Sequence, residues 1–143
     1  MNILILHGPN LNLLGEREPE IYGTTTLAEI NNELKRRANE VTAEIKTDQS
    51  NHEGMLVDRI QENRKWADAL IINPGAFTHY SYALRDVLAA FSKPVIEVHL
   101  SDLTMREEFR KHSVLEGLPN VRRIMGKGAA GYYEALEVLI KKS

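Results

Sequence analysis

The chain has 143 residues, 43% of them hydrophobic, and 18 basic against 20 acidic side chains give a net charge of −2. That length is one domain's worth, 1–143, sufficient to bury a core without staples. Neither charge sign clusters into a long run, which argues against nucleic acid and membrane as partners and for small molecules, while the absence of cysteine excludes disulfides, thiolate metal sites and cysteine nucleophiles.

The first element is the apolar run at residues 3–6. It is far too short for a signal h-region or a membrane span, so it reads as a strand of a cytoplasmic protein. After it come His7-Gly8-Pro9-Asn10 and the loop GEREPEIYG at residues 15–23, which holds Arg17 and Tyr22. A phenol has a pKa of about 10 and works as a base at neutral pH only if its anion is stabilised by roughly 4 kcal/mol. One guanidinium about 4 Å away, at an effective dielectric near 20, supplies energy of that order. The competing reading is a solvated loop with Tyr22 as a half-buried anchor.

Thr26 and Glu29 form a capping box ahead of a helical period at Leu27, Ile30, Leu34, Ala38 and Val41. A more polar strand follows at 43–47, then the polar run Gln49-Ser50-Asn51-His52-Glu53-Gly54, whose Ser50 and Glu53 repeat the capping signature ahead of Leu56, Ile60 and Ala67. The nearly continuous apolar strand at 69–73 leads into Asn73-Pro74-Gly75-Ala76-Phe77-Thr78-His79 and an apolar helical stripe at Tyr80, Ala83, Leu84, Val87, Leu88 and Phe91. A strand at 95–100, a short helix at 106–112, a strand at 121–125 and a final helix at 132–141 complete the chain. This alternation predicts an α/β, flavodoxin-like three-layer sandwich on a five-stranded parallel sheet, with the polar second and fifth strands at its edges. Ligands of such sheets bind outside the strands' carboxyl ends.

On the fourth strand, Glu97 and His99 stand at i and i+2, so both leave the same face and the carboxylate can orient and charge the imidazole. That is a general-acid arrangement; a buried pair serving structure alone is the alternative, and the Arg-supported Tyr22 nearby favours catalysis.

The motifs H-G-P-N-L-N-L-L-G-x-R-E-P-x-x-Y-G, Q-S-N-H-E-G, N-P-G-A-F-T-H, E-V-H-L-S and R-E-E-F-R, continuing into a final G-x-G-x-x-G-Y, resemble type II 3-dehydroquinate dehydratase nearly end to end. The resemblance implies anti elimination of water from 3-dehydroquinate through an enolate, giving 3-dehydroshikimate in the shikimate pathway. It implies Tyr22 as the base, Arg17 as support for its phenolate, Asn10 as holder of a water at the enolate oxygen, His99 as the acid toward the leaving C1 hydroxyl and Glu97 as the group orienting His99. It further implies Asn73, Gly75 and the backbone of Leu100 and Ser101 around the substrate carboxylate, with His79 and Arg110 at the ring hydroxyls. Asp86 matches an aspartate that reaches a neighbouring subunit's site, which implies a homododecamer, a tetramer of trimers. No cofactor or metal is implied.

The chain departs from the family's usual pattern at Asp102 and Thr104, where Asn and His are more common. An acidic side chain facing the bound carboxylate would repel it, so Asp102 is expected to turn away or be compensated. Arg106 is retained, with catalysis and structure both open as its role. Residues 13–23 carry two glycines and a proline with few apolar side chains, and are expected to act as a mobile lid.

Other chemistries fit less well. Gly126-x-Gly128-x-x-Gly131 has the dinucleotide fingerprint, but only twelve residues follow it, so the glycines more plausibly shape a tight turn into the last helix. A phosphoacceptor module would need an aspartate where Asn73 stands. A Schiff-base lysine would need desolvation, with Lys127 the arguable candidate. Five histidines lack metal-ligand spacing. A flavodoxin-like module binding a small anion would leave Tyr22 and His99 unused.

Overall fold

The computed structural model describes residues 1–142. Five strands, β1 (Asn2–His7), β2 (Glu44–Gln49), β3 (Ala69–Asn73), β4 (Val95–His99) and β5 (Val121–Met125), pair in parallel in the order β2-β1-β3-β4-β5. The polar strands β2 and β5 are the edges, as their composition predicts, because an edge strand need not be apolar on both faces.

The period-two alternation of the central strands supplies two cores at once. Ile3, Ile5, Ile71, Ile96 and Val98 point to one face, where they meet helix α2 (Leu27–Glu40) and helix α5 (Ala130–Lys141) through Leu34, Leu136 and Tyr132. Leu4, Leu6, Leu70 and Ile72 point to the other, against helix α3 (Glu53–Asn63) and helix α4 (Tyr82–Phe91) through Leu56, Ile60, Leu84 and Leu88. Each such side chain contributes roughly 1.5–3 kcal/mol on leaving water, and together they make the sheet the rigid part of the molecule. One short helix, α1 (Pro19–Tyr22), lies between β1 and α2.

Four local expectations are revised. The Thr26–Glu29 box forms, but its repeat at Ser50 does not: α3 begins after His52, the Ser50 hydroxyl accepts from the His52 N–H at 2.9 Å, and Glu53 accepts from the Ser81 hydroxyl instead. Tyr80 and Ala83 lie outside the buried stripe of α4, because Ser81 caps that helix through the Leu84 N–H and starts its turn one residue past Tyr80. No helix spans 106–112; two 3-10 turns, Leu103–Met105 and Glu108–Arg110, replace it. The expected strand at 95–100 stops at His99, where the chain turns toward β5.

The ends of the strands are level, since His7 sits opposite Gln49 on one side and Asn73 on the other. Their connecting segments therefore converge on one rim. Gly8 permits the closest approach there: its N–H donates to the Asn73 carbonyl at 2.7 Å, and a Cβ at this position would meet the Pro74 carbonyl oxygen at 2.7 Å. Across the rim, Gly126 and Gly128 adopt φ of 80° and 58° and donate to the His99 and Leu100 carbonyls, so the late glycine motif is a turn that ties β5 to β4.

Candidate active site

β4 builds one wall. Glu97 and His99 leave the same face of the strand, and His99 Nε2 lies 2.5 Å from Glu97 Oε2 with both side chains buried. The Glu97 carboxylate also accepts from Thr78 Oγ1 at 2.6 Å and Ser113 Oγ at 3.5 Å, and lies 3.4 Å from Arg123 Nε. Burial alone would raise its pKa; the bonds from His99 and Thr78 and the charge of Arg123 outweigh burial and hold it below the ordinary value. With Nε2 committed to Glu97, Nδ1 is the ring atom left to face the cleft.

β3 and the turn after it build the floor. Asn73 Oδ1 accepts the Gly75 N–H at 3.0 Å. His79 Nδ1 donates to the His112 carbonyl at 2.6 Å, leaving its other nitrogen available, and burial lowers its pKa. The turn after β1 contributes Asn10, a left-handed residue (φ 69°) of the kind that tolerates this conformation. Its backbone N–H donates to Asn51 Oδ1, while Gln49 Nε2 reaches both the Gly8 carbonyl and Asn51. The polar run after β2 thus braces the turn that carries Asn10.

The loop after β1 supplies the fourth side. Arg17 lies over the Tyr22 ring, 4.8 Å from its centroid. The guanidinium nearest the hydroxyl belongs to Arg106, whose Nη1 and Nη2 approach Tyr22 Oη at 3.4 and 3.5 Å while Nη1 also meets Ser101 Oγ at 3.1 Å. The family resemblance implies Arg17 for this support and leaves the role of Arg106 open, with the R-E-E-F-R motif as its signal in the sequence. Of the partners of Glu97, Thr78 stands in the N-P-G-A-F-T-H motif without a role attached to it, and Ser113 carries no sequence signal.

Asn10, Arg17, Tyr22, Asn73, Gly75, His79, His99, Leu100, Ser101, Arg106 and Arg110 line one cavity of about 170 Å³, with Glu97 directly behind His99. Among the described residues, three guanidiniums and no carboxylate face it. Asp86 is the exception, lying on α4 in a separate groove beside Val57 and Arg64. Asp102 borders the neighbouring hollow, where its carboxylate accepts from the Thr104 N–H and hydroxyl at 2.9 and 2.6 Å, so it turns away from the cavity as expected. Lys127 is solvent-facing and paired with Glu134 at 2.6 Å, unsuited to Schiff-base chemistry. A larger hollow of about 420 Å³ between α2 and α5 gathers Arg36, Arg37 and Glu40, already paired among themselves or with Glu33, and no comparable set of convergent polar groups.

This arrangement offers a phenol flanked by two cations, an imidazole backed by a carboxylate, and a third guanidinium from Arg110 in the wall, which suits elimination from a small anion. Comparison with known proteins agrees. The family model described as "Dehydroquinase class II" matches residues 1–140. The chain is 55% identical over 139 residues to the 3-dehydroquinate dehydratase of Dictyoglomus turgidum, covering 97% of this chain and 95% of that one. It is 55% identical over 136 residues to the enzyme of the same name from Pelotomaculum thermopropionicum, covering 95% and 94%. The crystal structure of type II dehydroquinase from Butyrivibrio crossotus superposes with a TM-score of 0.93 at 46% identity, covering 97% of both chains.

Proposed function

The chain belongs to the class II dehydroquinase family, and on that premise we propose that it removes water from 3-dehydroquinate to give 3-dehydroshikimate in the shikimate pathway, with Tyr22 as base and His99 as acid. The observation that carries this reading is the single cavity lined by both the Tyr22 phenol and the Glu97-backed His99, with three guanidiniums and, among the described residues, no carboxylate in its wall.

The family resemblance implies the following steps, and the shared cavity supports them. The substrate carboxylate rests against Asn73 and the Leu100–Ser101 backbone, with His79 and Arg110 at the ring hydroxyls. Arg106 at the oxygen and Arg17 over the ring favour the Tyr22 phenolate. That phenolate removes the proton alpha to the ketone, and the electron pair moves onto the carbonyl oxygen as an enolate. A water held by Asn10 hydrogen-bonds this oxygen. Collapse of the enolate expels the C1 hydroxyl, which takes a proton from His99 and leaves as water. The Glu97 carboxylate stabilises the positive charge on the ring that this donation consumes.

The working unit is a homododecamer, a tetramer of trimers. Its support is that Asp86 stands away from its own chain's cavity and that Tyr80, Tyr82 and Phe109 are exposed, at 59%, 68% and 65%. The cytoplasmic assignment belongs to the same proposal, supported by the burial of the first apolar run as core strand β1. The test is ultraviolet absorbance of the protein with 3-dehydroquinate, following the conjugated enone of the product. A rise that collapses in Tyr22→Phe is the expected result; no rise with folded protein would overturn the reading.

A further inference from the structure

The Glu97 carboxylate is served by two hydroxyls to which the proposed chemistry gives no task. Thr78, in the 3-10 turn Gly75–His79, and Ser113, which follows the turn Glu108–Arg110, are both buried. Thr78 Oγ1 lies 2.6 Å from Glu97 Oε2 and 2.6 Å from Ser113 Oγ, and Ser113 Oγ accepts the Leu115 N–H at 3.1 Å. The two residues meet because their segments are stitched together: the Val114 N–H donates to the Thr78 carbonyl at 2.7 Å, and His79 Nδ1 donates to the His112 carbonyl at 2.6 Å. The hydroxyls are thus placed by backbone outside β4, independently of Glu97.

Donor counting gives this line one direction. An ionised carboxylate only accepts, so Thr78 spends its one hydrogen on Glu97 Oε2 and has lone pairs left for Ser113. Ser113 therefore donates to Thr78 Oγ1, its nearer acceptor, with Glu97 Oε2 farther off at 3.5 Å. Both O–H groups point along the line toward the carboxylate. The other carboxylate oxygen is drawn by Arg123, the β5 neighbour of Glu97, whose Nε lies 3.4 Å from Oε1. Without Thr78, His99 would be left as the close partner of Oε2 against that pull.

We propose that Thr78 is a positioning residue for the acid of the reaction, with Ser113 behind it: the hydroxyl line pins Glu97 Oε2 against His99 Nε2 and so keeps Nδ1 aimed into the cavity. This rests on the dehydratase reading for the identity of the reaction. Neither Thr78 nor Ser113 lines the cavity, so neither holds the substrate. Loss of the line misaligns the group that protonates the leaving hydroxyl, an effect felt after binding, in kcat rather than in KM.

Steady-state kinetics with 3-dehydroquinate, joined to thermal unfolding of each variant, test the proposal, with His99→Asn marking the full loss of the acid. Thr78→Val keeps the shape of the side chain and removes the hydroxyl. It is expected to lower kcat about tenfold, part of the roughly 10²–10⁴-fold that general acid catalysis supplies, with KM within about twofold of the parent. Thr78→Ser restores the donor and is expected to bring kcat back to within about threefold. Ser113→Ala leaves the Thr78 hydrogen on Glu97 and is expected to lower kcat about threefold with KM unmoved; it decides the matter if Thr78→Val does not fold. Hydroxyls serving the fold alone would lower the thermal midpoint and leave kcat of the folded variants at the parent value. That result in an active parent, or a Thr78→Ser variant no more active than Thr78→Val, overturns the positioning role and leaves the dehydratase reading intact. A folded parent with no turnover overturns the dehydratase reading and the assigned role together.

Discussion

The ledge at the ends of β3 and β4 and the loop at residues 13–23 carry opposite ends of the proposed elimination, and they are held by different means. On the ledge, Asn73, Glu97 and His99 are 3%, 1% and 5% exposed, and their polar atoms meet Gly75, Thr78, Ser113, Arg123 and each other. In the loop only Leu14 is buried, and Tyr22 is held by stacked guanidiniums and contacts of 3.4–3.5 Å. Glu18 opens α1 in a left-handed conformation (φ 38°) that disfavours side chains other than glycine and asparagine. The acid side is preorganised by the core, whereas the base side depends on a segment with little core of its own.

Variants on the two sides should therefore fail differently. The largest effect is expected for Tyr22→Phe, which removes the proposed base: turnover falls by about 10³-fold, near 4 kcal/mol in activation free energy, with the thermal midpoint within about a degree of the parent because a half-exposed hydroxyl leaves no buried group unpaired. Equal losses of stability and turnover would erase the distinction. Glu97→Gln should lose both together, with turnover reduced and about 3 kcal/mol of unfolding free energy missing in a denaturant titration, since Thr78, Ser113 and Arg123 all lose a charged acceptor. An unchanged denaturation midpoint would remove the ledge's claim to rigidity.

The third prediction sharpens the comparison through pH. Burial, against the opposing effects of Asn31 and Asp48, lowers the His7 pKa from 6.5 to about 4. The unfolded chain therefore binds a proton near pH 6.5 that the folded chain refuses until about pH 4. Stability is full above pH 6.5 and falls toward pH 4 by about 3 kcal/mol, at roughly 1.4 kcal/mol per unit. Denaturant midpoints measured across this window should show the fall in the parent and a flatter line in His7→Asn; the same slope in both would locate the titration elsewhere. Smaller again is the effect on the loop: a substrate analogue should slow proteolysis within residues 13–23 severalfold, and equal cleavage with and without it would contradict closure. The smallest is Asp102→Asn. Because Thr104 holds that carboxylate away from the cavity, substrate affinity should change less than tenfold, and a larger improvement would mean that its charge reaches the site.

Legibility in the sequence follows the same division. Tyr22, Arg17, Asn10, Glu97 and His99 are legible as candidates from the motifs, and the structure brings Asn10, Arg17, Tyr22 and His99 to one cavity with Glu97 bonded to His99, while their roles rest on the resemblance. The failures were short-range competitions. Ser81 outbid Tyr80 for the start of α4 because its hydroxyl could cap Leu84, and Ser50 lost its capping role to a turn onto His52. Arg106 was visible as a residue but not as a partner of Tyr22.

The amino-acid sequence by itself determined the alternation of strands and helices, the polar edges and the rim on which the site lies, because periodicity and composition act over neighbouring residues. Only the tertiary structure decided which groups meet. Arg106 finds Tyr22 across 84 positions and His7 finds Tyr132 across 125, contacts that depend on the order in which parallel strands pair. The direction of the hydrogen bonds through His7 likewise exists only once Asn31 and Tyr132 flank it, since a ring nitrogen is donor or acceptor according to the partners that the fold brings to it.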